Sequence, residues 1–357
     1  MNWRRLARLA LVWTVLSVVY LLIFEGVVRW FWPQDKTTEH LAGESLGEKD
    51  PELGHRLRAN AHTRTRTAEF TVEYRTNADG WRDAARYKPE RDPSTPRLLV
   101  LGDSFTFGEG VDYESIFPVV IEERLGIEVV KAGIPGYDTR LEVLLLERLL
   151  ARYRPDAVLL IWVPNDLFTN RPIDGPPDEP SAPAADVVTV REEKKQRPMW
   201  HSVSLLRRLA LGQDAVYARL YAATGRGRFF AATPDATVEA QLAITADLLR
   251  RAQELCARDG VALAVASLPQ QFQVLVASGQ RSFPDLDVHL LDQRLDAVAS
   301  SSGFAFWPLL DGLSQRYAED GRDLYYRLDG HLNADGHRAV GELLVERLEP
   351  WDALPGL

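Results

Sequence analysis

The sequence has a single cysteine among its 357 residues, so no disulfide can form within the chain. Cys256 lies in an apolar helical pattern beside Leu249 and Leu255, which is typical of an ordinary core residue. HExxH and CxxC motifs are also missing, and no His or Asp pattern has the spacing of a metal site. We therefore expect the protein to need neither a metal nor a cofactor.

Positive charge is scarce relative to negative charge, and the formal net charge is −9. No basic cluster with interleaved aromatic residues interrupts this acidic composition, so we expect no nucleic-acid partner. Apolar residues make up 46% of the chain and charged residues 26%, which is typical of a globular protein. The length fits one good-sized catalytic domain with additional elements, and the sequence contains no internal repeats.

A long apolar run lies near the N-terminus. Residues 9–24 carry no charge, and the apolar pattern resumes after Glu25. Because a spanning helix needs about 20 largely apolar residues, we expect residues 1–32 to form a cytoplasmic tail and a membrane anchor. Basic residues precede the run and acidic residues follow it, at Arg4, Arg5, Arg8, Asp35, Glu39 and Glu44. This asymmetry predicts a cytoplasmic N-terminus and an extracytoplasmic catalytic domain.

A cleaved signal peptide is the alternative interpretation of the same run. No clear small-x-small cleavage site follows it, so we favour an uncleaved, single-pass anchor whose partner is the lipid bilayer. Downstream of the anchor, residues 33 to about 50 have the composition of a polar tether. Phe70, Val72 and Tyr74 then alternate with polar residues, which predicts a half-buried strand in a small β-rich leader. We assign residues 33–96 to the tether and this leader.

From residue 97 onward, short apolar strands alternate with helical patterns. The five predicted strands are 97–101, 127–131, 157–162, 261–267 and 304–309. A helix is predicted to begin at Thr139, with Glu142 completing a capping box. This alternation predicts a three-layer α/β/α sandwich over residues 97–349, with a parallel, flavodoxin-like sheet of about five strands. An insertion at about 170–234, with a helix at 200–211, either lies over the active site or is a surface excursion.

The segment GDSFTFG at residues 102–108 directly follows the first of these strands. In a parallel sheet this position places Ser104 at the carboxyl edge, where ligands bind. The N-terminus of a following helix there favours developing negative charge. Taken alone, the segment fits a tight turn or a phosphate-binding loop equally well, although it lacks the lysine of a P-loop. A nucleophilic serine also needs a base and oxyanion donors elsewhere in the chain.

Four blocks in the right order resemble the SGNH/GDSL hydrolase family over about residues 97–349. The blocks are GDSFTFG at 102–108, AGIPGY at 132–137, VPND at 163–166 and DGHLN at 329–333. The resemblance implies that Ser104 is the nucleophile, His331 the base and Asp329 the acid that orients the imidazole. It also implies an oxyanion hole made by the N–H groups of Ser104 and Gly136 and the side-chain amide of Asn165. Parts of 53–83 resemble the leader that precedes this domain in envelope members.

Two blocks depart from the family pattern. Val163-Pro164 stands where a glycine usually begins the third block, and proline restricts the backbone before Asn165. Asp329 and His331 are two residues apart, where Asp-x-x-His is more common. The Asp-x-His form resembles the polysaccharide O-acetyltransferase-like members of the wider family.

Other candidate residues are given structural roles. His337 also follows an aspartate by two residues, but we expect it to make a structural hydrogen bond at a helix start. Asp103 is expected to fix the nucleophile loop through backbone hydrogen bonds. The remaining histidines have no partner pattern, and ordinary surface or core positions are expected for His55, His62, His201 and His289.

These observations predict a serine-dependent acyl-ester hydrolase that removes acyl groups, in particular acetyl groups, from an envelope or extracellular glycan. The expected partners are an acyl-ester substrate, such as an acetylated polysaccharide, and the bilayer. An O-acetyltransferase acting on an exported polysaccharide would use the same site and is the nearest alternative. A non-catalytic carbohydrate-binding or assembly protein is an alternative of another class. The intact Ser104, Asn165 and His331 argue against that last interpretation.

Overall fold

The computed structural model describes residues 3–33, 39–83, 94–175, 200–279 and 283–349. The first element is helix α1, Trp3–Phe31, whose 29 residues extend over about 44 Å at 1.5 Å per residue. Almost all of its side chains are exposed, and only Glu25 and Val28 are buried. Within the described residues it is the one helix long and apolar enough to cross a membrane. The prediction of an N-terminal apolar helix is therefore confirmed.

A small β-rich leader follows α1. Three antiparallel strands form one sheet in the order β1-β4-β5, and β2 and β3 form a separate hairpin. Their bounds are β1 Glu39–Gly43, β2 Gly47–Asp50, β3 Gly54–Leu57, β4 His62–Arg66 and β5 Thr71–Arg75. The prediction of a tether up to about Asp50 is wrong for residues 39–50. A polar composition suggests a solvated tether, but it equally suits a short strand at a sheet edge with one face in water.

The main sheet has five parallel strands, in the order β7-β6-β8-β9-β10. Their bounds are β6 Arg97–Gly102, β7 Glu128–Gly133, β8 Ala157–Trp162, β9 Ala262–Ser267 and β10 Ala305–Pro308. The three central strands are buried along their whole length, because a parallel sheet covered on both faces needs continuous apolar runs. The chain reverses its direction of winding between β6 and β8, and ligands bind at the carboxyl edge beside such a switch point.

Ten further helices complete the described part of the chain. They are α2 Ser104–Phe107, α3 Phe117–Leu125, α4 Thr139–Tyr153, α5 His201–Leu211, α6 Asp214–Ala222, α7 Ala236–Arg258, α8 Gln271–Ala277, α9 Leu290–Ser302, α10 Leu310–Asp320 and α11 Ala334–Leu348. Helix α3 packs against α11, and α4 packs against α7. Right-handed crossovers place these two pairs on opposite faces of the sheet, which gives the predicted α/β/α sandwich.

One local prediction needs correction. The capping box at Thr139 does not form, because Asp138 is the N-cap and accepts the N–H of Leu141 at 3.1 Å. The Thr139 hydroxyl instead donates to Asp166 at 2.7 Å, and Glu142 is fully buried.

The C-terminal part of the predicted insertion is packed into the core. Phe229 and Phe230 are both buried, and the ring centroids of Phe230 and Phe272 lie 5.6 Å apart. The stretch Gly227–Phe230 therefore belongs to the core and is no surface excursion. Residues 176–199 of the insertion lie outside the described part of the chain.

Candidate active site

Ser104 is placed at the carboxyl edge of the sheet by a sharp turn from β6 into the short helix α2. Asp103 caps this helix by accepting the N–H of Phe105 at 2.9 Å. Gly102 allows the turn, because a Cβ there would lie 2.0 Å from the Thr106 hydroxyl. Gly133 at the end of β7 is equally restricted, since its Cβ would lie 2.3 Å from the amide nitrogen of Phe107. These close approaches leave Ser104 half-buried at the start of a helix, where the first N–H groups have no partner within the helix.

His331 joins Ser104 to Asp329. The Nε2 atom of His331 lies 2.7 Å from Oγ of Ser104, and its Nδ1 atom lies 2.6 Å from Oδ1 of Asp329. Gly330 makes the two-residue spacing possible, because its φ of +92° turns the chain so that the carboxylate folds back onto the ring. The geometry is that of a nucleophile, a base and an orienting acid. The departure from Asp-x-x-His therefore does not prevent a triad.

The leader holds the loop that carries this histidine. The Glu69 carboxylate accepts the backbone N–H groups of Leu328 and Asp329 at 2.9 and 2.8 Å. The Tyr326 hydroxyl donates to the carbonyl of Gly110 at 2.8 Å, which ties the same loop to the segment after α2. Nothing in the local sequence around Glu69 signals this role.

A second carboxylate faces the imidazole. Oε2 of Glu109 lies 3.7 Å from Nε2 of His331, and both side chains are only 20% exposed. Burial raises the pKa of Glu109, although the charge of His331 opposes that rise. Burial alone would lower the pKa of His331, but the charges of Glu109 and Asp329 and the hydrogen bond that the ring donates to Asp329 raise it to about 9.

Glu109, Asp329 and His331 bring potential metal-ligand atoms within 4.8 Å of one another. Both ring nitrogens of His331 are already engaged, one with Ser104 and one with Asp329. A cation bound through the imidazole would have to break one of these contacts. The arrangement therefore suits proton transfer better than metal binding.

Asn165 is joined to the nucleophile loop through Asp103. Its amide nitrogen donates to Oδ2 of Asp103 at 3.0 Å, and Asp103 is 1% exposed. Burial raises the pKa of Asp103, and the hydrogen bonds from Asn165 and Phe105 oppose that rise. Pro164 begins the 3₁₀ turn Pro164–Phe168, a position where its missing N–H is not needed. The sequence predicted the backbone hydrogen bond of Asp103 but not its contact with Asn165.

Gly136 lies in a loop that is held by His55 of the leader. The Nε2–H of His55 donates to the carbonyl of Pro135 at 2.9 Å, and the Tyr137 hydroxyl donates to the carbonyl of His55 at 2.7 Å. The φ of +82° at Gly136 favours glycine. The residue is exposed, and its N–H has no hydrogen-bond partner among the described residues. Local sequence patterns predicted no partner for His55, because its two contacts join residues about 80 positions apart.

Arg82 of the leader is buried beneath α2. Its guanidinium donates to the carbonyls of Phe107, Gly108 and Val111 at 2.9, 2.6 and 2.6 Å. These carbonyls follow Ser104 directly, at the end of a helix only four residues long. The leader therefore braces both sides of the site, through Arg82 on the nucleophile and Glu69 on the histidine loop.

His337 has the structural position expected for it. It is fully buried in α11, and its Nδ1 accepts the N–H of Phe117 at 3.3 Å. Burial lowers its pKa to about 3, so the ring is neutral. The other histidines named from the sequence have partners outside the triad; among them His62 pairs with Glu73 at 2.5 Å.

A sequence model of the GDSL-like lipase/acylhydrolase family matches residues 100–339, about two thirds of the chain. The chain belongs to this family. It is an ester-bond hydrolase with the SGNH fold, as the four blocks predicted. The matched region contains Ser104, Gly136, Asn165, Asp329 and His331.

Several solved structures are similar to the chain. One is a G-D-S-L lipolytic protein from Veillonella parvula, 13% identical, with a TM-score of 0.43 over 72% of this chain and 100% of that one. Another is the esterase EstA from Pseudoalteromonas sp., 13% identical, with a TM-score of 0.41 over 72% and 98%. A third is a GDSL-like lipase from Bacteroides thetaiotaomicron, 13% identical, with a TM-score of 0.37 over 72% and 90%. A comparison with curated proteins found no match.

Proposed function

We propose that Ser104, His331 and Asp329 carry out acyl transfer from an ester. His331 takes the proton of the Ser104 hydroxyl at Nε2 while Oγ attacks the ester carbonyl. The proton then passes to the leaving alcohol, and water attacks the acyl-enzyme with His331 again as base. Asp329 accepts the Nδ1–H throughout and stabilises the imidazolium. The 2.7 Å contact between Ser104 and His331 is the observation that carries this proposal.

The oxyanion formed in each step needs donors that are in place before the reaction. We assign this role to the N–H groups of Ser104 and Gly136 and to the amide of Asn165. Asn165 has two amide hydrogens, and the bond to Asp103 uses one and leaves the other for the oxyanion. His55 and Arg82 are positioning residues, because they hold the backbone around Gly136 and Ser104 without touching substrate.

As the substrate we propose small acyl groups, in particular acetyl groups, on an envelope or extracellular glycan. Three features support this choice. The Asp-x-His spacing of Asp329 and His331 resembles that of polysaccharide O-acetyltransferase-like members, and the two side chains are in hydrogen-bond contact. The triad is partly exposed at the sheet edge, where a polymer can approach. Helix α1 is apolar enough to hold the domain at a membrane.

The location can be tested by topology. If α1 crosses the bilayer with Arg4, Arg5 and Arg8 inside, an alkaline phosphatase fused after Leu357 will be active. The membrane fraction will contain a chain that still begins at Met1 or Asn2. An inactive fusion would contradict the export of the domain. A mature chain beginning beyond Phe24 would show that the helix is a cleaved signal.

An O-acetyltransferase remains the second candidate, because the Asp-x-His form is shared with such enzymes and the first half of the reaction is the same. The deciding experiment gives the full-length protein an acetylated glycan together with an unacetylated acceptor glycan. Release of free acetate with no label in the acceptor supports the esterase. Transfer of labelled acetyl groups to the acceptor supports the transferase. A strong preference for short soluble esters over glycan would remove the proposed substrate class and leave the mechanism intact.

A further inference from the structure

Helices α5 and α6 expose an apolar face that no part of the catalytic machinery uses. Val203, Leu206 and Leu209 recur every three residues along α5 and are 59%, 55% and 60% exposed. This face, which we call the α5–α6 face, has six members: Trp200, Val203, Leu206, Leu209, Val216 and Leu220. The two helices pack against each other, and large apolar side chains exposed together on neighbouring helices of a folded domain mark an interaction site.

The start of α5 is fixed against α1. The two carboxylate oxygens of Glu25 accept the N–H groups of His201 and Ser202 at 2.9 and 2.8 Å, so a side chain of α1 caps α5. Glu25 directly follows the uncharged run 9–24, which is the part of α1 able to lie in hydrocarbon. The contact therefore sets α5 at the depth where α1 leaves the apolar region.

Charge on this segment also suits a lipid surface. Residues 200–228 contain five arginines and one aspartate, in a chain whose net charge is −9. Among them, Arg207 and Arg208 of α5 are exposed beside the apolar face. Exposed Trp30 and Trp32 at the end of α1 add aromatic side chains of the type enriched at the membrane interface. An apolar helix face flanked by arginine is the pattern of helices that lie in the headgroup region.

We propose that the α5–α6 face rests in the interfacial region of the bilayer that α1 spans. This inference rests on the proposed membrane span of α1. Docking at this face fixes the active site close to the membrane, because α5 and α6 are bonded to the elements that hold the histidine loop. The Arg208 guanidinium donates to the carbonyl of Ala68 at 3.3 Å, next to Glu69. Asp214 of α6 accepts a hydrogen bond from the Arg327 guanidinium, two residues before Asp329.

Docking at the α5–α6 face limits which substrates Ser104 can reach. An enzyme held by α1 alone could turn away from the membrane, but one held at two surfaces presents its site at a fixed height. Esters within reach of Ser104 are then those carried by molecules near the bilayer, such as a glycan chain still at the membrane. A glycan far from the membrane would be reached poorly.

The test uses the full-length protein in vesicles of phosphatidylglycerol and phosphatidylcholine. A nitroxide is attached to Leu206→Cys and, independently, to Val203→Cys, both at exposed positions where substitution leaves the core unchanged. Cys256 can remain, because it is fully buried and burial raises the pKa of its thiol to about 12, so it resists labelling. Collision of the nitroxide with oxygen, which concentrates in lipid, is compared with collision with a water-soluble nickel chelate.

Two control positions separate docking from anchoring. A label at Leu16→Cys, within the apolar run of α1, reports the span, and a label at Glu254→Cys, on the exposed side of α7, reports water. We expect the oxygen-to-nickel ratio at Leu206 and Val203 to exceed that at Glu254 several-fold. A ratio equal to that at Glu254, with Leu16 still in lipid, would overturn the docking and leave the anchor in place.

Two other outcomes also overturn the proposal. If the oxygen-to-nickel ratios of the labels at positions 16 and 206 both equal the ratio at position 254, α1 does not span the bilayer and the docking has no basis. Exclusion of both reagents from Leu206, with dipolar broadening between labels on two molecules, would show that the face is covered by a second copy of the chain.

Discussion

The side-chain amide of Asn165 donates to the carboxylate of Asp103, with 3.0 Å between Nδ2 and Oδ2. The two residues follow strands β8 and β6, which are neighbours at the switch point of the sheet. Asp103 also caps α2, the helix that begins with Ser104. One carboxylate therefore fixes the amide of the third sequence block relative to the serine of the first.

We expect Asn165→Ala to lower kcat by about 10²–10³, because removing one oxyanion donor typically costs that much. Substrate binding should change less than kcat, since the oxyanion exists only in the transition state. Steady-state kinetics on an ester reporter measures both values. Asn170→Ala is the matched control, because Asn170 is buried and bonds to Thr139 and Thr245, so its loss should affect stability more than kcat. A loss below tenfold in Asn165→Ala would place the amide outside the oxyanion hole.

Glu109 should set the pH dependence of the reaction. The base must be neutral to accept a proton, and the negative charge of Glu109 helps to raise the pKa of His331 to about 9. Activity should therefore rise with pH through the alkaline range. Glu109→Gln removes that charge, lowers the pKa of His331 and should move the rise in kcat/KM to lower pH. The rate at pH 7 should increase accordingly.

The control for this shift is Glu123→Gln, which removes a charge from the exposed side of α3 and should leave the profile in place. A profile for Glu109→Gln that is unchanged, or displaced to higher pH, would show that Glu109 does not act on the imidazole.

His331 and His337 should respond to substitution in opposite ways. His331→Ala should reduce kcat roughly as much as loss of the nucleophile, since members of a triad act as a unit. His337→Ala should retain more activity but lose stability, because the N–H of Phe117 is left without its buried acceptor, at about 1–3 kcal/mol. Thermal unfolding in detergent and kcat for each variant make the comparison. The reverse ranking of their activities would reassign the base.

The fold could be predicted from the sequence because its central strands are short, continuous apolar runs. Runs such as Ala157–Trp162 are apolar throughout and only six residues long, which is typical of a strand buried on both faces. The first three blocks lie at the ends of such strands, and the fourth precedes the last helix. Their order, together with the resemblance to the SGNH/GDSL family, predicted that Ser104, Asn165 and His331 meet in one site.

The leader residues that hold the loops of the site could not be predicted from sequence patterns. Glu69 accepts the N–H of Asp329, which lies 260 positions later in the chain. Arg82 donates to backbone carbonyls at the end of α2, and any residue type there would supply such a carbonyl. A hydrogen bond to a backbone carbonyl or N–H leaves no trace in the partner's residue type. The tether over residues 39–50 was predicted wrongly for a related reason, since the pairing of β1 with β4 and of β2 with β3 depends on backbone groups and not on apolar side chains.

Covalent labelling tests most directly whether Ser104 is a nucleophile activated by His331. A serine-directed phosphonate is applied to the full-length protein, and the labelled peptide is identified by mass spectrometry. We predict a single modified serine at residue 104, no labelling in Ser104→Ala, and loss of turnover by roughly 10⁴–10⁶ in that variant with its folding intact. Labelling of a different serine, with activity retained in Ser104→Ala, would contradict the assignment.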